Sequence, residues 1–192
     1  MKHLIERIES LSEIAASRDV NVPGRHITHY ARVLGRARVE GKARVGDRAV
    51  VKDNAVVRSE ARVEYRAIVE DNALVSDFAT VSGYARVGGN ARLEGWAKVD
   101  GKARVYGDAI VREGRVSGNA VVKDKAYVRG WVRFNAVVEG KAVVEGGVTV
   151  IGNARIGGTA ILTGGTWDGT EGPVTEGEWK SPKDYLAWKD SQ

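Results

Sequence analysis

The sequence predicts an all-β solenoid built from short parallel strands, on three observations. From Ala31 to Ala109 an alanine returns every six residues. A valine follows two places after each of them, with Leu93 the one substitution, and two places further on there is usually a Gly or Asp, giving the unit A-x-V-x-[GD]-x. Apolar residues spaced by two and four, with a glycine or aspartate in each unit, do not form the single stripe of an amphipathic helix.

Each part of the unit has a physical role. In A-x-V the two small apolar side chains point to one side of a short strand, because side chains alternate with period two, and the variable middle residue points to the other. The Gly or Asp supplies a corner, since Gly accepts positive φ and Asp supports such a bend through local hydrogen bonds. Strands this short, joined by corners, cannot form ordinary hairpins, so successive coils are expected to pair edge to edge.

Composition narrows the chemistry. The 192 residues include 24 glycines, three prolines, two phenylalanines and no cysteine, which removes disulfides and thiolate metal sites. Only three histidines occur, His3, His26 and His29, which argues against histidine-rich metal centres, and no metal site is expected. The net charge of +5 is a modest bias toward anionic partners. No apolar run reaches a membrane span, and the opening MKHLIERIESLSEI carries charges where a signal peptide is apolar, so a soluble protein, cytoplasmic or virion-associated, is expected.

The A-x-V-x-[GD]-x array resembles the hexapeptide repeat of left-handed parallel β-helices, in which an aliphatic residue is followed four places later by a small one, as in Val33–Ala37, Val39–Ala43 and Val45–Ala49. It is similar in particular to hexapeptide arrays of bacterial and bacteriophage proteins. The resemblance implies a left-handed, single-stranded β-helix whose triangular coils hold three units, or 18 residues, each. Counted through Leu162, the units make nearly eight coils, a rod roughly 35–40 Å long. The expected organisation is an N-terminal helix at 1–18, an entry loop at 19–30, the β-helix at 27–168, and a C-terminal loop with a short helix at 169–192. Two units are short: Val111 to Val116 spans five residues and Val128 to Val132 four, so each should tighten a corner.

Three units per coil sort the outward residues into three columns. One contains Val56, Leu74, Ile110, Tyr127, Val143 and Ile161, more apolar than a solvated rod needs, and is expected to be an oligomer interface. The resemblance implies a homotrimer. A second contains Arg44, Arg62, Lys98 and Arg115, a candidate anion-binding row, with Trp131 and Trp167 assigned to its upper end. The third is mixed. Carboxylates such as Glu40, Glu64, Glu70, Glu94 and Glu139 sit in neighbouring outward positions and offer these cations partners. Phe78 and Trp96, 18 residues apart, fall on one corner in successive coils and are placed to stack.

The ends depart from the repeat. Leu4, Ile5, Ile8, Leu11, Ile14 and Ala15 recur at helical spacing opposite Glu6, Glu9 and Glu13, which predicts an amphipathic helix that either caps the first coil or joins subunits. Pro23-Gly24 marks a turn into the rod. After Trp167 the run GGTWDGTEGPVTEGEW has a loop's composition and lacks the lysine of a phosphate loop. Ser181-Pro182-Lys183-Asp184 reads as a helix start, with Tyr185, Leu186 and Trp188 expected to dock on the rod.

For function, the resemblance implies acyl-CoA-dependent acyltransferases as the familiar enzymatic relatives, with a histidine as general base. No histidine occurs from Tyr30 to Gln192, which leaves His26 and His29 as the catalytic candidates. The histidine-ligated zinc of γ-type carbonic anhydrases has no counterpart here. No loop insertion of the kind that covers such active sites is present. The expectation is therefore a non-catalytic structural or interaction rod without a cofactor, homotrimeric, a component of a phage particle or other assembly, with other structural proteins as partners and no role for nucleic acid or membrane. The alternatives are an acyltransferase using acetyl-CoA and a protein that captures a small anionic ligand or nucleotide in an intersubunit groove.

Overall fold

A computed structural model describes residues 26–28 and 30–192; the helix expected at 1–18 and most of the entry loop expected at 19–30 lie outside them. The described chain is a parallel β-solenoid of about eight turns, with one short helix at its C-terminus. Its strands form three faces. The first face runs from His26–Ile27 through Arg44–Val45 to Thr166–Trp167 in nine strands, and the second from Arg32–Val33 to Arg155–Ile156 in eight. The third runs from Arg38–Val39 through Ile161–Leu162 to Glu178–Trp179 in nine. All pairs are parallel, and each strand pairs with its counterparts in the adjoining coils.

The alternation read from A-x-V decides what lies inside. Val45, Val51, Val57 and Val63, with Ala43, Ala49, Ala55 and Ala61, are fully buried, and the same two residue types fill nearly every coil above them. The ladder also continues round the corners. Arg62 donates to the Ala79 carbonyl at 2.9 Å, Glu64 to Val81 at 2.9 Å and Arg66 to Gly83 at 2.9 Å, so strand and turn amides alike find acceptors one coil up. Proline, which would break this series, is confined to residues outside the repeat.

The corner residue two places after nearly every inward valine takes positive φ, as Gly89 does at 64° and Asp71 at 59°, with Gly130 in the shortest corner an exception. Aspartate does something at this position that glycine cannot. Its carboxylate accepts from the corner amide one coil up: Asp47 from Tyr65 at 3.0 Å, Asp71 from Gly89 at 2.7 Å, Asp77 from Gly95 at 2.9 Å and Asp124 from Gly140 at 3.0 Å. The following residue forms a second series at the corner between the second and third faces, where Asn54, Asn72, Asn90 and Asp108 link side chain to side chain at 2.9–3.1 Å.

The top of the rod differs from the sequence expectation. Thr149 pairs with Thr166 and Val150 with Trp167, so Trp167 takes the inward valine position and is fully buried, rather than standing in the outward column. The cause is a third shortened unit, Leu162 to Trp167, whose missing residue is hidden within Thr163-Gly164-Gly165. Parallel pairing then continues past residue 168: Val174 bridges Ile156, and Glu178–Trp179 pairs with Ile161–Leu162. The bore is topped by helix α1 (Pro182–Lys189), whose N-cap Ser181 hydroxyl accepts from the Asp184 amide. Tyr185 of α1 lies edge-on to Trp167 and Trp179, with centroids 6.0 and 5.3 Å away, and donates its hydroxyl to the Pro173 carbonyl.

Candidate functional site

The pairing register fixes the three outward columns. On the third face Arg38, Val56, Leu74, Arg92, Ile110, Tyr127, Val143 and Ile161 stand in one line, each opposite the next. The apolar members are half-buried, since their neighbours above and below cover their flanks and leave the tips in solvent. Only Arg92 interrupts the strip between Val56 and Ile161.

The first face lines up Arg44, Arg62, Thr80, Lys98, Arg115, Trp131 and Thr149. Its cations are not equivalent. Arg115 is committed to Asp100, with Nε 3.0 Å and Nη2 2.9 Å from the same carboxylate oxygen. Arg44, Arg62 and Lys98 have no ion-pair partner among the described residues. Sequence reasoning expected carboxylates to neutralise the row generally; the ion pairs form mostly elsewhere, as between Lys52 and Glu70 at 2.9 Å and Lys123 and Glu139 at 2.7 Å, both beside the second face. Hydrogen bonding to Glu70 and then Asp53 raises the Lys52 ammonium above the usual lysine range, and Glu139 does the same for Lys123.

Phe78 and Trp96 stack as their spacing predicts, with centroids 4.4 Å apart and planes 10° from parallel. They project from the corner between the third and first faces. On one flank they border a groove of about 570 Å³ with Lys42, Ser59, Glu60, Asp77 and Glu113. On the other they share a depression of about 200 Å³ with Glu60, Arg62, Thr80 and Lys98.

The shortened units change this corner. Residues 94–97 connect Leu93 to Lys98, residues 112–114 connect their partners Val111 and Arg115, and only residues 129–130 connect Val128 and Trp131 in the coil beyond. Residues 145–148 then restore the full corner. Both deletions therefore fall on the same edge, in consecutive coils, directly above Trp96. The position that would stack on Trp96 is the one lost, and Trp96 remains 68% exposed. Glu113 and Arg129 close the notch behind it through an ion pair of 2.7 Å. Gly114 and Gly130 make the tightened path passable, since a Cβ on Gly114 would meet the Gly130 carbonyl at 2.8 Å. Counting residues within each column was the signal in the sequence that both short units belong to one corner.

The histidines add little that can be described. The backbone of His26 pairs with Arg44 at the start of the first face, while its side chain and all of His29 lie outside the described residues. Among the described residues no group of three or more His, Cys, Asp or Glu side chains is arranged to hold a metal ion, and no helix is long and apolar enough to cross a membrane. The fold defines a parallel β-solenoid. The chain matches no protein-family model and no curated protein.

Proposed function

We propose that this protein is a structural or interaction rod without a catalytic role, assembled as a homotrimer through its third face and suited to a phage particle or a comparable assembly. The observation that carries the reading is the strip Val56, Leu74, Ile110, Tyr127, Val143 and Ile161, an apolar line interrupted only by Arg92. The absence of any histidine from Tyr30 to Gln192 supports the non-catalytic part, because a general base titrating near neutral pH is what an acyltransferase of this type requires. Light scattering tests the assembly. Wild-type protein is expected at three times the chain mass, and Leu74→Asp with Ile110→Asp at the mass of one chain. A monomeric wild type, or an unchanged mass in the double variant, overturns the interface.

A second reading, capture of a small anionic ligand, is favoured by the row of Arg44, Arg62 and Lys98 without ion-pair partners among the described residues. A thermal-shift comparison with acetyl-CoA separates it from the acyltransferase alternative: stabilisation by acetyl-CoA together with loss of that response in a His26→Ala or His29→Ala variant would favour the enzyme.

A further inference from the structure

We propose that the notch above Trp96 is a binding site for a planar aromatic anion of the mononucleotide class, with the ring stacked on Trp96 and the phosphate held by Lys98 and Arg62. The inference rests on the anion-capture reading and gives it a location and a ligand class. Three independent features converge there.

The first is an unused aromatic face. Phe78 occupies the lower face of Trp96 at 4.4 Å and holds the indole level across the rod edge. The upper face looks into the space that the two shortened corners vacate, where the next coil has lost its stacking residue. A third planar ring completes the series at ordinary stacking distance, and a nucleobase has the required flat π-surface.

The second is unspent positive charge in the depression beside Trp96. Lys98 is two residues beyond Trp96, and Arg62 stands two coils below it on the same face, with Thr80 between them. All three line the depression bounded by the edges of Phe78 and Trp96. Neither cation has an ion-pair partner among the described residues, so an incoming phosphate does not have to displace one.

The third is that the neighbouring acidic residues, including Glu60, which lines the depression as well as the groove, are already engaged. Glu60 pairs with Lys42 at 3.5 Å, Asp77 accepts the Gly95 amide at 2.9 Å, and Glu113 is held by Arg129 at 2.7 Å. The charge left unsatisfied around the aromatic pair is positive. An aromatic cation is therefore the poorer match, and an uncharged sugar leaves Lys98 and Arg62 unused.

Isothermal titration calorimetry on the full-length protein tests the proposal, with AMP, adenosine, inorganic phosphate and a ten-residue oligothymidylate as separate titrants. AMP is expected to bind saturably and at least tenfold more tightly than adenosine or phosphate alone. Trp96→Ala, and separately Arg62→Ala with Lys98→Ala, should each weaken AMP at least tenfold, and Trp96→Phe should retain most of the affinity. These side chains project outward, and an unchanged melting temperature identifies each variant as folded; Trp96→Leu, which keeps apolar bulk but has no ring to stack on and should also weaken AMP at least tenfold, serves as the informative variant if Trp96→Ala does not fold. Binding that needs the cations but ignores Trp96 overturns this site while leaving anion capture standing. Absence of saturable AMP binding, or binding indifferent to both sets of substitutions, overturns site and reading together. Tight oligothymidylate binding without AMP binding overturns the mononucleotide assignment.

Discussion

The Asp71 carboxylate accepts the Gly89 amide at 2.7 Å, joining two corner residues 18 positions apart that both hold positive φ. The bond explains why aspartate alternates with glycine at the corners. Glycine adopts the left-handed backbone at the least steric cost, whereas aspartate carries some strain and in return ties its coil to the next. Asp71→Ala keeps the strain and loses the tie, so it should lower stability by about 1–2 kcal/mol. Asp71→Gly loses the tie but relieves the strain and should fall between. Urea denaturation midpoints give the ranking, and an alanine variant as stable as the glycine one would contradict it.

Glycine itself is not uniformly required. At Gly89, with φ of 64°, an added Cβ would lie 2.8 Å from the backbone N and O of Gly107. At Gly147, with φ of 79°, a Cβ would meet nothing within 4 Å. Gly147→Ala should therefore cost only the backbone term, about 1 kcal/mol, and Gly89→Ala more than about 2 kcal/mol because the coils must also separate. Equal losses in thermal or urea denaturation would show that coil spacing is softer than the close contacts imply.

Acid sensitivity has an identifiable contributor in Asp53. Its carboxylate accepts the Asp71 amide at 3.3 Å and, next in importance, the Lys52 ammonium at 3.1 Å, which together hold it below the ordinary aspartate range. The folded state then binds fewer protons here than the unfolded chain, so stability rises with pH in this window. The contribution is complete above the unfolded pKa of about 3.9 and disappears as pH falls through the lower folded value. Asp53→Asn should flatten the stability profile below about pH 4. An unaltered acid limb in the Asn variant would assign the sensitivity elsewhere.

The C-terminal cap should be separable from the rod. Tyr185 is 7% exposed, and its ring is the contact that seats α1 against Trp167 and Trp179. Tyr185→Ala is expected to cost about 3 kcal/mol locally and to shift tryptophan emission to the red as the aromatic cluster opens. Tyr185→Phe, which loses only the bond to Pro173, should cost about 1 kcal/mol and leave emission nearly unchanged.

The regular coils were legible in the sequence because every unit poses the same steric problem: a small side chain beside a corner and a branched one at mid-strand. That is why the column from Arg38 to Ile161 follows the spacing through both short units. Reading failed where the inward slot is filled by something other than valine. Trp167, Val174 and Trp179 continue the pairing although A-x-V has gone, because the ladder needs only extended backbone and any apolar side chain that fits the bore. The loop-like composition of Gly164-Gly165 concealed a shortened corner. At the candidate site, the Phe78–Trp96 stack and the apolar strip followed from spacing alone. The division of the basic row into a paired Arg115 and unpaired Arg44, Arg62 and Lys98 did not, because it depends on which carboxylates the side chains reach across coils.

Because strands pair face by face and each coil pairs only with the coils adjoining it, the molecule behaves as a ruler with an adjustable outline. A further coil anywhere in the stack would lengthen it by about 4.8 Å. The residues lost near Gly114 and Gly130 alter one edge and leave the rise unchanged, since the faces on either side of that edge keep their register. Reach and surface shape can thus drift separately in descendants of this chain, the first by duplication of whole coils and the second by small deletions at a corner.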